Sequence, residues 1–130
     1  MTSATSAFTL DVFENEEPYE TVDGAAYART HIEKTFTGDL DATSTVEMLS
    51  VRGEGDGAGY VALETVRGSL HGQVGSFAIL HAGTMTSEDL WARWPIAPGS
   101  GTGELDGIRG EARIEIDPNG AHTLHLDYEL

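Results

Sequence analysis

The chain has no cysteine at all and a single lysine, Lys34. Without cysteine there can be no disulfide and no thiolate metal site, and a reducing cytoplasm is the expected setting. Bases are scarce: seven Lys and Arg stand against 22 acids, for a formal net charge of −15. That field repels polyphosphates, so neither nucleic acid nor an anionic membrane is an expected partner. No run approaches the ~20 apolar residues a membrane-spanning helix needs. The opening "MTSATSAF" lacks both the basic and the apolar region of a signal peptide, so none is expected. Helical periodicity is also missing. The one short candidate, "TSEDLWARW", starts with acids but runs directly into Pro95, which cannot continue a helix.

Catalytic and cofactor signatures are equally thin. Gly99, Gly101 and Gly103 complete no dinucleotide or phosphate-loop motif, and no helix opens there to receive a phosphate. His122 and His125 are three apart, which on a strand sends them to opposite faces. "GEGDGAG" at 53–59 lacks the alternating oxygen ligands that calcium requires. No serine sits in a nucleophile elbow. No metal and no cofactor are expected.

What the chain does have is 16 glycines spread among β-branched and aromatic residues. Alternating runs fall at 7–14, 26–37, 43–53, 59–70, 75–86, 90–98, 108–117 and 121–130. With 130 residues in one domain, short connections and no helix to cover a sheet, these strands predict an all-β fold. The expected form is an eight-stranded antiparallel up-and-down barrel. "GSLHGQVGSF" at 68–77 and "GELDGIRGEA" at 103–112 share the pattern G-x-L-x-G-x-x-G, and "GDLDATSTVE" at 38–47 is a weaker copy. Such an echo encodes a repeated hairpin corner, where glycine supplies positive φ and the leucine plugs the barrel end.

Turn chemistry sets register. A two-residue turn at Gly72-Gln73 places Glu64 opposite His81 and Gly68 opposite Phe77. Centring the acidic loop between Gly55 and Asp56 places Glu47 opposite Glu64, and centring the next turn between Ser87 and Glu88 places Trp94 opposite His81. Glu47, Glu64, His81 and Trp94 then form one inward row, with Leu49, Val51, Tyr60, Phe77, Ile79 and Ile96 around it. Phe36, Lys34 and Ile32 are expected inward on the second strand, as are Leu124, Leu126 and Tyr128 on the last. Carboxylates and an imidazole inside an apolar barrel must pair or neutralise. Burial raises a carboxyl pKa, so Glu64, tuned by Glu47 and His81, is a candidate general acid or base. The alternative is a Glu–His pair that only braces the barrel. Apolar residues on the outer face, Val61, Leu63 and Leu80, suggest a surface covered by other subunits and hence a homo-oligomer.

The run "GYVALETVRGSLHGQVGSFAILHAGT", with "PGSGTGELDGIRGE", "ARTHIEKTFTGDLDATSTVEML" and the closing "LDYEL", resembles the bacterial DUF3224 family. These small proteins are grouped with the allene oxide cyclase barrel-like superfamily, itself calycin-like in form. The resemblance implies a barrel with a central hollow for a hydrophobic, lipid-like molecule, and it carries no catalytic residues across. Together with the register it suggests an isomerase or cyclase for an unsaturated or epoxide-bearing substrate. Trp94, Tyr60, Phe77, Phe36, Leu49, Ile79 and Tyr128 are then the candidate substrate-binding wall. The rival readings are a lipocalin-like binding barrel without chemistry and a purely structural protein with a filled core.

Overall fold

The structure, a computed structural model, describes residues 1–130. Ten strands run in chain order: β1 (Thr2–Asn15), β2 (Glu20–Val22), β3 (Ala25–Gly38), β4 (Leu40–Arg52), β5 (Ala58–Leu70), β6 (Gln73–Met85), β7 (Leu90–Arg93), β8 (Thr102–Gly103), β9 (Arg109–Ile116) and β10 (His122–Glu129). Eight of them form the wall, in the order β7-β6-β5-β4-β3-β1-β10-β9, every neighbouring pair antiparallel. β2 adds to the edge of β3, and β8 to that of β6. There is no helix. The seam is closed just past β7, where Pro95 bridges Glu111. Hydrogen bonds from Ile96 N to Gly110 O (2.9 Å) and from Ala112 N to Trp94 O (2.7 Å) seal it. This is the expected eight-stranded antiparallel up-and-down barrel, nearly closed, with these few bonds holding the seam in place of a continuous ladder.

The repeated leucine behaves as its pattern predicts. Leu40, Leu70 and Leu105 are almost wholly buried and lie in one cluster with Phe36, Phe77 and Leu126, forming the floor of the barrel. The associated glycines let strands cross closely. At Gly68 (φ 154°) a Cβ would run into the Asp41 carbonyl and Ala42, and at Gly110 (φ 155°) into the Asp127 carbonyl and Tyr128. Both positions combine a left-handed backbone with a neighbouring strand directly over the glycine, so only glycine fits without strain.

Two hairpins differ from the sequence-based register. The β5–β6 turn is His71-Gly72, with φ of +48° and +81°, because His71 accepts the first left-handed position of a primed turn. Glu64 therefore pairs with Ile79 and His81 with Ala62, while Gly68 faces Gly75 rather than Phe77. That is a shift of two, which keeps every side chain on its expected face. The β4–β5 loop is instead closed by Gly53 N to Gly57 O (2.9 Å), and Glu64 pairs with Val46, not Glu47. A shift of one turns a whole strand over. Glu47, Leu49 and Val51 consequently point outward rather than into the barrel, with Leu49 at 42% exposure. The β6–β7 register is as expected: Ala82 pairs with Arg93 and Ile79 with Ile96, which sets Trp94 opposite His81.

Candidate functional site

Four consecutive strands each contribute one member of a polar network in the barrel interior: Lys34 from β3, Ser44 from β4, Glu64 from β5 and His81 from β6. All four are buried, Glu64 completely. Lys34 faces Ser44 directly across the β3–β4 hairpin. The Glu64 Oε1 accepts from His81 Nε2 at 2.8 Å and from Lys34 Nζ at 3.3 Å, and Oε2 accepts from Ser44 Oγ at 2.6 Å. The Lys34 ammonium also stands 4.8 Å from the centre of the Phe8 ring, where the ring face attracts a cation. The carboxylate sits between the large floor cluster and a smaller upper one of Ile32, Val46 and Ala62.

Burial alone pushes the Glu64 carboxyl up. The hydrogen bond from His81, the charges of Lys34 and His81 and the Ser44 hydroxyl together outweigh it and hold the group at about 2. Glu64 is therefore ionised at neutral pH, which removes the acid half of the general acid-or-base role expected of it and leaves the base half. Because an ionised carboxylate only accepts, His81 Nε2 must carry the proton of their shared bond. His81 Nδ1 makes no hydrogen bond, and no buried side-chain nitrogen or oxygen in the protein lacks a partner. Nδ1 therefore keeps some solvent contact within a ring that is otherwise buried, on the side away from the leucine floor. In its neutral form the ring would present a lone pair there.

The mouth around that nitrogen is aromatic. The Trp94 ring centre is 6.3 Å from that of His81, at an interplanar angle of 60°. Trp94 Nε1 donates to Tyr60 Oη at 3.3 Å. The Tyr60 ring lies over Gly83, where a Cβ would collide with it. Both aromatics are half-buried.

Of the ten residues expected at the site, Glu64, His81, Trp94 and Tyr60 come together here. Phe36, Phe77 and Ile79 are inward but locked in the packed core. Tyr128 is inward at the floor, its hydroxyl 2.6 Å from His71 Nδ1, and burial and the nearby Asp39 charge raise its pKa. Glu47 and Leu49 are on the outer wall. There Glu47 bonds His31 Nδ1 at 2.7 Å while Glu33 takes Nε2 at 2.7 Å. These two carboxylates raise the His31 pKa to about 9. Lys34 was placed inward by its strand pattern but given no role, and Ser44 was missed. The signal for both was the Asp39 corner, which aligns them opposite each other on adjacent strands. Two hollows, of about 670 and 470 Å³, are lined mainly by outward residues of the wall and share Leu49, Val61 and Ala82; the first also touches Met48, Ala62 and His81. The interior below Glu64 is filled by Phe8, Phe36, Phe77, Tyr128 and the three leucines.

Residues 4–128 match the family described as "Protein of unknown function (DUF3224)". The chain is similar to a solved crystal structure of a DUF3224 protein of unknown function from Shewanella oneidensis MR-1. The two are 38% identical with a TM-score of 0.92, over 100% of this chain and 97% of that one. No curated protein matches the chain.

Proposed function

We propose that this chain, which belongs to the DUF3224 family, is a proton-transferring isomerase or cyclase that works at the open mouth of its barrel. The observation that carries the reading is the pairing of a buried, ionised Glu64 with His81, whose other ring nitrogen is open beside Trp94 and Tyr60. In this reading His81 Nδ1 is the general base, and Glu64 orients the ring and stabilises the imidazolium that forms when it takes a proton. Lys34 and Ser44 keep Glu64 ionised. These roles reverse the ones the sequence suggested. The imidazolium then returns its proton to another atom of the same substrate, so the reaction is balanced without a co-reactant.

The aromatic mouth suits a flat or unsaturated apolar substrate, and the resemblance to the allene oxide cyclase barrel-like superfamily points to an unsaturated or epoxide-bearing one. Holding such a molecule against Trp94 supplies orientation as well as a base. A second reading is favoured by the filled interior: a binding barrel that holds an apolar molecule at the mouth and does no chemistry on it.

The two separate in D₂O. The protein is incubated with a panel of unsaturated and epoxy fatty acids, and mass spectrometry follows isomerisation and deuterium uptake into carbon. Turnover with incorporation that falls ~10²–10⁴-fold in His81→Asn supports the proposed base. Binding without conversion or exchange leaves the binding barrel, and undiminished turnover in His81→Asn rejects His81.

A further inference from the structure

The wall itself has a feature the barrel mouth does not explain. Strand pairing aligns its outward side chains in rows across β3 to β7. One row reads Arg29, Leu49, Val61, Ala82, Arg93, and the next reads His31, Glu47, Leu63, Leu80. Above them, Tyr27, Val51 and Trp91 extend the apolar area. Val61 is 56% exposed, Leu63 57% and Trp91 51%. Roughly 500 Å² of contiguous apolar surface results, at the upper end of what a monomer leaves bare. With its polar rim the area approaches the ~800 Å² per partner of a standard stable interface.

Charge identifies the partner. The outward residues of β3 to β7 carry three bases, Arg29, Arg67 and Arg93, and three acids, Glu33, Asp41 and Glu47. Inside, Lys34 offsets Glu64. The other 18 acids and three bases, placed elsewhere on the molecule, hold the whole net charge of −15. The wall thus carries none of the net negative charge by which two copies repel each other. Arg93 is paired with Glu111, but Arg29 and Arg67 have no carboxylate within ion-pair distance.

We propose that this wall packs face to face with the same wall of a second copy, forming an isologous homodimer. A two-fold axis across the strands at the level of Leu63 stacks Leu63 on its symmetry mate. Because it reverses strand direction, it also brings Arg29 of one copy over Glu33 of the other and the Leu49–Val61–Ala82 row over Thr45, Thr65 and Ala78. It sets His31 and Glu47 on their own mates, a cost that their opposite charges, adjacent in the row, offset. Isologous interfaces require this kind of self-complementarity. The unpaired arginine thereby gains a carboxylate, twice per dimer.

Sedimentation velocity on the full chain tests the proposal, with circular dichroism to confirm that each variant folds. The wild type is expected at twice the 13.9 kDa chain mass. Leu63→Glu, on an exposed outward position, is expected to sediment as a monomer. Arg29→Glu should weaken the dimer by ~10–100-fold, and adding Glu33→Arg to it should restore most of the loss. A monomeric wild type at high micromolar concentration overturns the proposal and leaves the wall to a foreign protein or an apolar small molecule. A dimer indifferent to Leu63→Glu, a charge swap that does not rescue, or a larger ring overturns it as well.

Discussion

Removing the charge of Glu64 while keeping its shape, by Glu64→Gln, is expected to destabilise the barrel far more than a surface substitution would. The carboxylate is wholly buried and is the only anion within ion-pair distance of Lys34, itself 6% exposed. The amide leaves the ammonium in the interior with only the Phe8 ring and neutral dipoles around it. Breaking a buried pair from one side costs about 3–5 kcal/mol. For a domain of this size that is roughly 10–20 °C in Tm. Lys34→Met should cost less than Glu64→Gln, because His81 and Ser44 still bond the remaining carboxylate. The double variant Lys34→Met/Glu64→Leu should recover to within ~2 kcal/mol of wild type, the residue of the loss being the orphaned His81 and Ser44 donors. The assay is urea denaturation of these proteins together with Glu64→Leu, which closes the cycle with Lys34→Met and the double variant. It is read by circular dichroism and by tryptophan fluorescence, to which Trp94 beside the network contributes. A coupling energy of ~2 kcal/mol or more is expected from the cycle. Single variants that each cost under ~1 kcal/mol and add without coupling would show that water reaches the network, and the account of Glu64 as a fixed buried anion would be wrong.

Acid should act through the same residue. The Glu64 carboxyl is held at about 2 in the folded protein against an ordinary 4.5, so the folded state binds its proton less readily than the unfolded chain. Its contribution is complete above the ordinary value and lost as pH falls from there through about 2. It amounts to about 3 kcal/mol. Denaturation at a series of pH values should show a shallower acid slope in Lys34→Met/Glu64→Leu than in wild type, and identical slopes would contradict this. His31 moves the other way: its pKa is raised to about 9 by Glu33 and Glu47, so its favourable pairing is complete below the ordinary 6.5 and disappears as pH rises through 9. NMR should place the His31 imidazole midpoint near 9 and show it dropping in Glu47→Gln, whereas a midpoint near 6.5 in wild type would mean the clamp does not hold in solution. At the barrel corner, Gly68→Ala should lose ~1–3 kcal/mol through its left-handed backbone and the Asp41 carbonyl. A near-neutral result in the same denaturation assay would mean the two strands can separate there at little cost.

The barrel was legible in the sequence because its signals are local and repeated. Alternation fixed the eight wall strands to within a few residues, apart from β1, which begins at Thr2 rather than near residue 7. The early part of β1 is short on large apolar residues: Ala4 and Ser6 are the inward positions before Phe8, so hydrophobic alternation has little to register. Beyond Leu10 a bulge interrupts the pairing with β3, and no pattern in the sequence marks it. The short β2 and β8 were not anticipated, since three and two residues are too few to alternate. The leucine of each corner was legible because its burial follows from the turn.

The site was half legible, and the reason is parity. Moving the His71-Gly72 turn by one residue changes the pairing by two, so Glu64 and His81 stayed on the inner face and were found. The Gly53–Gly57 loop has an odd length that composition alone cannot specify, and that single residue carried Glu47 and Leu49 to the outside. The error had a chemical consequence. With Glu47 inside, two carboxylates would have competed for one proton, and Glu64 would have been driven up toward neutrality as an acid. With Lys34 and Ser44 in its place, the same buried carboxylate is driven down to about 2. One residue of register thus decides whether the surroundings of the buried Glu64 favour its neutral or its ionised form.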